Sequence, residues 1–467
     1  MNDYNLILDT DSYKSSHFLQ YPPGTSSLFA YFENRGGSYG QVMFFGLQYI
    51  LKHYFGQVVT KEMVEEAEQF FLEHGEPFPK EGWMHIVHHW GGRLPVRIRA
   101  VPEGMMVPNS NVMFTVESVD PAVPWIVSWV ETMLVRVWYP CNVATKSREI
   151  KRVIKKYLDM TCDPLVQTGL DFKLHDFGAR GVSSLESAGI GGAAHLVNFR
   201  GSDNVAGILL ANKYYGCKMA GNSIPAAEHS TIITWGQDRE EDAYRNMIVQ
   251  FAKPGATVAV VSDSYDLDNA VRNLWGHKLR QEVIDSGATV VIRPDSGDPP
   301  GIVLNVLGML GETFGYVNNQ KGYRVLNHVR VIQGDSIDDE TSVVAILEKA
   351  VQAGFSAENV GFGMGGGLLQ KTHRDVNFSA YKVSSATIDD QMIDVKKDPK
   401  TDPRKASKAG RLDLVNRDGR LQTVPLFGGE VSSSDSVMHT VFSHGHFTID
   451  QELQDIRKVA DANSDRL

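Results

Sequence analysis

The 467-residue sequence has few cysteines and no excess of basic residues. Its three cysteines, Cys141, Cys162 and Cys217, include no CxxC pair, which argues against a disulfide framework and against a cysteine zinc site. The net charge is −10, so no broad cationic surface for nucleic acid or for an anionic membrane is expected. We therefore expect a cytoplasmic protein that binds neither nucleic acid nor membrane.

Long apolar segments are also lacking. The most apolar stretch, residues 125–140, is interrupted by Glu131 and Arg136 and is shorter than a membrane span, so it predicts a core helix. The amino terminus has acids where a secretory signal has its basic region. What remains is 42% hydrophobic and 22% charged, the composition of an ordinary globular protein, and the length predicts about two domains.

Two patterns divide the chain. The first part mixes predicted strands at 26–32, 94–100 and 112–116 with a predicted helix at 42–55. From about Leu174, short apolar runs alternate with helical segments, which predicts repeated βα units and a mostly parallel sheet. The runs are 172–176, 257–263, 288–295, 329–335 and 360–363. Several end in aspartate, so an α/β barrel of these units would gather carboxylates around one pocket.

Several strand ends carry residues suited to a ligand. Phe177 can stack on a planar ring and Arg180 can hold an anion, although for this string alone a core phenylalanine and a surface arginine in an ion pair are the more common explanation. Arg293 and Asp295 enter a turn together, and Gly334-Asp335 ends another strand. The run 363–367, GMGGG, favours an anion nest over a tight structural turn and is neither GxGxxG nor a Walker sequence.

Basic residues are concentrated late in the chain. Residues 395–411 contain seven Lys or Arg among Asp-Pro turns, which predicts a loop. Arg374 and Lys382 lie just upstream, and Lys397 and Lys405 lie within the loop. Most such charges are solvated singly, but as a group they suit a polyphosphate.

The stretch 225–231, PAAEHST, places His229 between a carboxylate and two hydroxyls. From these residues alone the imidazole suits a general base, a metal ligand, a covalent nucleophile or a structural side chain.

Taken in order, the motifs resemble the nicotinamide phosphoribosyltransferase family, whose members are type II phosphoribosyltransferases. The matching strings run through nearly the whole chain: TDSYK, YPP, FGLQYIL, LPVRIRAVPEG, WYP, LHDFGARGVSSLESAGIGGAAHLVNFRGSD, PAAEHST, VSDSYD, IRPDSGDP, RVIQGD, GMGGGLLQK and KAGRL. The resemblance implies an irregular α/β barrel at 151–384 and an α+β domain built from 1–150 and 385–467. It also implies a homodimer with active sites at the subunit interface.

The implied reaction forms nicotinamide mononucleotide and pyrophosphate from nicotinamide and phosphoribosyl pyrophosphate, with Mg²⁺, coupled to ATP hydrolysis. By resemblance, Phe177 and Tyr13 of the second subunit sandwich the pyridine ring, Asp203 accepts the carboxamide N–H, and Arg293 lies close to the ring. The implied ribose and phosphate residues are Arg180, Asp295, Gly334, Asp335, Gly365 and Gly366, with Mg²⁺-pyrophosphate near Asp295 and Asp335. The implied polyphosphate cluster is Arg35, Arg374, Lys382, Lys397 and Lys405.

In the family the histidine matching His229 is phosphorylated by ATP, and the aspartate matching Asp263 bonds its ring. Glu228 is assigned beside it as a supporting acid. Two positions depart from the pattern of animal members, Ala179 and Met364, and they bear on the tunnel beside the ring and on inhibitor sensitivity. The rival interpretations are a nicotinate phosphoribosyltransferase and a non-catalytic binding or signalling protein on the same scaffold.

Overall fold

A computed structural model describes residues 4–163, 169–401, 406–427, 430 and 432–462. These residues fold into two compact units, one formed by 1–142, 213–217 and 372–467, the other by 143–212 and 218–371, within the described parts of these ranges. The predicted domain boundaries at 150 and 384 lie close to these divisions and remain predictions. None of the described helices combines the length and apolar character needed to cross a membrane.

The unit formed by both ends of the chain is built on a seven-stranded antiparallel sheet. Its strands, in spatial order, are Gln391–Asp394, Ser379–Ile388, Thr25–Asn34, Val112–Ser118, Val96–Ala100, His439–Ser443 and His446–Phe447. Two further strand pairs are Gln41–Met43 with Met106–Pro108 and Leu412–Arg417 with Arg420–Pro425. Its helices are Leu6–Leu8, Ser12–Leu19, Leu47–Ile50, Leu51–Phe55, Lys61–His74, Lys80–His89, Ile126–Trp129, Glu131–Val135, Arg374–Val376 and Leu453–Ala462.

Two predictions for this unit are corrected. Val42 and Met43 belong to a short strand paired with Met106–Pro108, so the predicted helix at 42–55 starts only at Leu47. The predicted core helix at 125–140 is buried but broken into Ile126–Trp129, Glu131–Val135 and the start of Trp138–Thr161. Residues 395–401 and 406–411 carry neither helix nor strand, as the loop prediction requires.

The other unit contains six parallel strands, in the spatial order Gly201–Ser202, Leu174–Asp176, Val360–Met364, Val329–Gln333, Thr289–Arg293 and Thr257–Val261. The five strands predicted from 172 onward are therefore confirmed. A small antiparallel pair, Tyr316–Asn318 with Arg324–Leu326, is added. Its helices are most of Trp138–Thr161, which begins in the other unit, and Leu170–Phe172, Ala179–Gly181, Leu185–His195, Val205–Tyr214, His229–Ile233, Gln237–Arg239, Glu240–Phe251, Leu267–Asn269, Ala270–Lys278, Arg280–Ser286, Pro299–Phe314, Glu340–Gln352, Ala357–Asn359 and Gly366–Leu369.

The segment 222–227 closes the parallel strands into a ring. Asn222 forms a parallel bridge to Gly201 at one edge of the sheet, and Ala226 forms a parallel bridge to Ala259 at the other. Ala259, Val291 and Ile332 pack together in its interior. This irregular barrel confirms the predicted fold class, and it brings the carboxyl ends of all six strands to one rim.

Candidate functional site

Phe177 lies at the rim of the ring and is fixed by its neighbours. Its backbone N–H donates to Met364 O at 2.9 Å, and its ring packs against the interior cluster together with Ile224. A Cβ on Gly363 would lie 1.9 Å from the ring, so only glycine leaves room for the ring in this position. One face of an aromatic ring is thereby held in a defined place, which suits stacking against a planar ligand.

Arg293 connects this ring to the carboxylate of Asp295. Its guanidinium lies 5.7 Å from the Phe177 ring centroid, while Nη2 and Nε donate to Asp295 Oδ1 at 2.7 and 3.2 Å. Gly334 lies beside both, because a Cβ there would be 3.4 Å from Arg293 Nε and from the Phe177 ring. The structure thus brings Phe177, Arg293, Asp295 and Gly334 into one group.

His229 lies between two carboxylates of the same rim. Its Nε2 is 3.1 Å from Asp263 Oδ1, and its Nδ1 is 3.8 Å from Asp295 Oδ2. The other oxygen of Asp263 accepts from the Asp295 backbone N–H at 2.9 Å and from Ser296 Oγ at 2.6 Å. The Asp263 side chain is 5% exposed and that of His229 is 43% exposed, so a buried, immobilised acid orients an accessible imidazole.

Glu228 does not share this arrangement. It precedes the helix His229–Ile233, and its carboxylate accepts a hydrogen bond from Ser230 Oγ. Its backbone N–H donates to Thr231 Oγ1 at 3.3 Å. These contacts belong to the start of the helix, and the supporting role assigned to Glu228 remains a prediction.

Asp203 follows the edge strand Gly201–Ser202 and is exposed. Its backbone N–H donates to Asp176 O at 3.0 Å, so it lies next to the residue that precedes Phe177. Its carboxylate accepts a hydrogen bond from Ser223 Oγ. Asp176 itself is fully buried: burial, partly offset by hydrogen bonds from Asn204 and Gly178, raises its pKa to about 6, and the charge of Asp203 adds to the increase.

The residues predicted for phosphate also lie on this rim. Gly365 and Gly366 begin the short helix Gly366–Leu369, and a Cβ on the neighbouring Gly181 would be 3.2 Å from Gly366 N. Arg180 is exposed in the turn Ala179–Gly181. Asp335 follows the strand Val329–Gln333 and accepts from Ser336 Oγ at 2.8 Å. Their ligand roles stay predictions.

The remaining predicted residues belong to the unit with the antiparallel sheet. Lys382 is partly buried, and burial lowers its pKa. Glu131 opposes this shift, whereas the nearby charges of Arg35, Lys397 and Arg374 lower the pKa further. These four cations therefore form one group, while Lys405 lies outside the described residues.

Arg35 and Tyr13, two further residues of the predicted site, also lie in this unit. Arg35 Nε donates to the buried Glu33 at 2.9 Å, and its buried Nη2 has no partner among the described residues. Tyr13 is 57% exposed.

Sequence reasoning missed two hydroxyls that hold the predicted acids, Ser223 on Asp203 and Ser296 on Asp263. Ser296 stands in the string IRPDSGDP, directly after Asp295, and this position is a usable signal because a serine after a strand-end aspartate can reach a neighbouring strand end. Ser223 is 20 residues from Asp203 in the chain, and only closure of the ring brings the two together.

The fold is the irregular α/β barrel of the type II phosphoribosyltransferases. Two solved structures share the fold: a nicotinate-nucleotide pyrophosphorylase from Pyrococcus furiosus, with TM-score 0.64 and 14% identity over 100% of this chain and 97% of that one, and the human nicotinic acid phosphoribosyltransferase, with TM-score 0.56 and 15% identity over 98% and 94%.

Residues 172–446 match the model of the nicotinate phosphoribosyltransferase (NAPRTase) family, and residues 5–98 match the nicotinamide phosphoribosyltransferase N-terminal domain. The chain belongs to the nicotinate phosphoribosyltransferase family. It is 54% identical to a nicotinamide phosphoribosyltransferase of Xanthomonas campestris pv. campestris (strain 8004), over 98% of both chains. It is 31% identical to one of Mycoplasma pneumoniae, over 88% of this chain and 96% of that one.

Proposed function

We propose that this enzyme transfers the phosphoribosyl group of phosphoribosyl pyrophosphate to nicotinamide, giving nicotinamide mononucleotide and pyrophosphate. The observation that carries the choice of substrate is the exposed carboxylate of Asp203 beside the residues that fix Phe177. A carboxylate accepts hydrogen bonds from an amide NH₂ and repels the carboxylate of nicotinate. The names of the relatives support the same substrate.

The proposed reaction requires little proton transfer by the protein. The pyridine nitrogen of nicotinamide carries no proton, so its attack on ribose C1 requires no general base. The protein instead orients the ring against Phe177 and stabilises the charge on departing pyrophosphate. Arg293 donates to Asp295, so its charge is already paired before a base binds.

Nicotinate is the rival substrate, because Arg293 would suit a carboxylate if it left Asp295. Assays of purified enzyme with each base and phosphoribosyl pyrophosphate, read by mononucleotide formation, separate the two. We expect a higher kcat/KM for nicotinamide. Faster turnover of nicotinate would refute the proposal, and binding of nicotinamide without any product would favour a non-catalytic protein.

ATP coupling is the second part of the proposal. With Asp263 accepting from Nε2–H of His229, the lone pair resides on Nδ1. Nδ1 attacks the γ-phosphorus of ATP, the bond to the β–γ bridging oxygen breaks, and ADP leaves. The His229→Ala variant should lose ATP stimulation and keep basal transfer, whereas full stimulation in this variant would exclude His229 as the phosphate acceptor.

Mg²⁺ fits the residues near the predicted pyrophosphate position. Asp295 and Asp335 offer hard oxygen ligands, the type that Mg²⁺ prefers. The described residues contain no group of three or more His, Cys, Asp or Glu placed to hold a metal, so pyrophosphate and water would complete the coordination. The ion would neutralise charge on the leaving group.

We further propose a cytoplasmic homodimer in which Tyr13 of a second copy covers the ring held by Phe177. The exposed side chain of Tyr13 supports this assignment, and the low cysteine content of the sequence supports the compartment. Mixing Tyr13→Ala with Phe177→Ala subunits tests it. Each heterodimer would regain one intact site, so activity should return to about a quarter of wild type at random assortment. No recovery would place Tyr13 outside the partner's site.

A further inference from the structure

We propose that Ser223 is a positioning residue that sets the preference for nicotinamide by orienting Asp203. The inference rests on the proposed nicotinamide activity. Ser223 Oγ donates to Asp203 Oδ1 and also lies 3.5 Å from Ile224 O. A hydroxyl has one proton to donate, so this contact occupies one carboxylate oxygen and leaves Oδ2 to accept from an amide NH₂.

The backbone on both sides of this contact is fixed. Asn222, next to Ser223, accepts from Ser202 N at 3.0 Å, and its own N–H donates to Arg200 O at 2.8 Å. Two residues after Ser223, Pro225 O accepts from Ala259 N at 3.0 Å. Ser223 therefore lies in the segment that closes the ring, where it cannot shift without breaking a barrel strand pair.

Asp203 is anchored just as firmly. Its backbone N–H donates to Asp176 O at 3.0 Å, and the following residue, Asn204, donates from Nδ2 to Asp176 Oδ2 at 2.8 Å. The hydroxyl thus meets a carboxylate whose main chain does not move. The side chains of Ser223 and Asp203 are both exposed, so packing does not hold them in place. Their mutual hydrogen bond is therefore the contact, among the described residues, that restricts rotation of the Asp203 carboxylate.

The contact borders the ring pocket. Ile224, the residue after Ser223, packs with Phe177 against Ala259, Val291 and Ile332. Ser223 and Asp203 therefore lie on either side of the closing point of the ring, next to the aromatic residue proposed to stack on the base. A carboxylate preorganised there discriminates amide from acid without rearrangement when the base binds.

The test compares Ser223→Ala, Ser223→Cys and Ser223→Thr in the full chain, using kcat and KM for nicotinamide and for nicotinate. Loss of one hydrogen bond to a charged group predicts a rise in KM for nicotinamide of about tenfold in Ser223→Ala. We expect kcat to stay within about twofold, since the contact is the same in the ground and transition states. Ser223→Cys, a near-isosteric weak donor, should behave like the alanine variant, and Ser223→Thr, which keeps the hydroxyl, should behave like wild type.

A double-mutant cycle with Asp203→Ala separates positioning from direct contact with the base. If Ser223 acts through Asp203, Ser223→Ala changes nothing further in the Asp203→Ala background. Additive losses, or an unchanged ratio of nicotinamide to nicotinate kcat/KM in Ser223→Ala, would overturn the inference. A wild-type enzyme that prefers nicotinate would instead overturn the proposed function, so the two failures are told apart by the wild-type ratio alone.

Discussion

At the rim of the parallel ring Arg293 and His229 each lie against a carboxylate, whereas four cations of the antiparallel-sheet unit lie close enough to repel one another. Arg293 pairs with Asp295 and His229 with Asp263. Lys382, by contrast, has its pKa lowered by burial and by the charges of Arg35, Lys397 and Arg374. The paired rim is held in a fixed arrangement, while an anion bound at the cationic group would add to the compensation that Glu33 and Glu131 already provide. Substrate binding at the cationic group should therefore depend on salt, whereas the paired contacts of the rim should not.

The largest expected effect is at Gly363. In Gly363→Ala the new methyl would displace the Phe177 ring, because its Cβ would lie 1.9 Å from that ring. Overpacking of about 1–3 kcal/mol leaves the barrel folded but removes the stacking face, so kcat/KM for nicotinamide should fall by about 100-fold. Gly308→Ala is the control, since a Cβ there meets nothing within 4 Å in the helix Pro299–Phe314. Equal activity of the two variants would contradict the assigned ring site.

Arg293→Lys tests the paired rim. A lysine cannot reproduce the two N–H donors that Arg293 directs at Asp295 Oδ1, so kcat/KM should fall by about 10- to 30-fold, and this loss should be independent of salt. The matched control is Arg272→Lys on the surface pair with Glu312. A loss that disappears at high ionic strength would show that Arg293 acts as an unpaired charge.

Lys382→Ala tests the other side of the comparison. Removing one cation of the group should raise KM for phosphoribosyl pyrophosphate by about tenfold at low salt and by only a few-fold at high salt, because ions screen such attraction. Lys458→Ala, an exposed lysine on the helix Leu453–Ala462, removes the same charge elsewhere. Equal effects of the two variants would show that Lys382 acts only through the net charge of the protein and not as part of a local binding site.

The smallest effect concerns the buried acid beneath the rim. The folded protein raises the pKa of Asp176 to about 6 from 3.8, so Asp176 contributes stability that is fully present below pH 3.8 and is lost as the pH rises through 6. Between about pH 5 and pH 8 the wild type should therefore lose about 1.4 kcal/mol of unfolding free energy relative to Asp176→Asn. Denaturant titrations at both values measure this, and a pH-independent difference would contradict it.

The sequence predicted the strands of the ring well, because buried parallel strands are short β-branched runs that end in polar turns. It failed at 42–43, where an apolar pattern typical of a helix belongs to a strand paired with residues 106–108. Periodicity does not distinguish a short buried strand from a helix start. The break of 125–140 into three helical pieces was missed because a continuous apolar composition does not show where a buried helix is interrupted.

The sequence alone determined which residues are candidates for the site, because they stand in strings that identify the family. They are Phe177, Asp203, His229, Asp263, Arg293 and Asp295. Only the tertiary structure decided how they are paired. The contacts of Asp263 with His229 and Ser296 span 34 and 33 residues, and that of Ser223 with Asp203 spans 20. Such pairings depend on strand order and on ring closure by 222–227, which are global properties of packing rather than of any local run of residues.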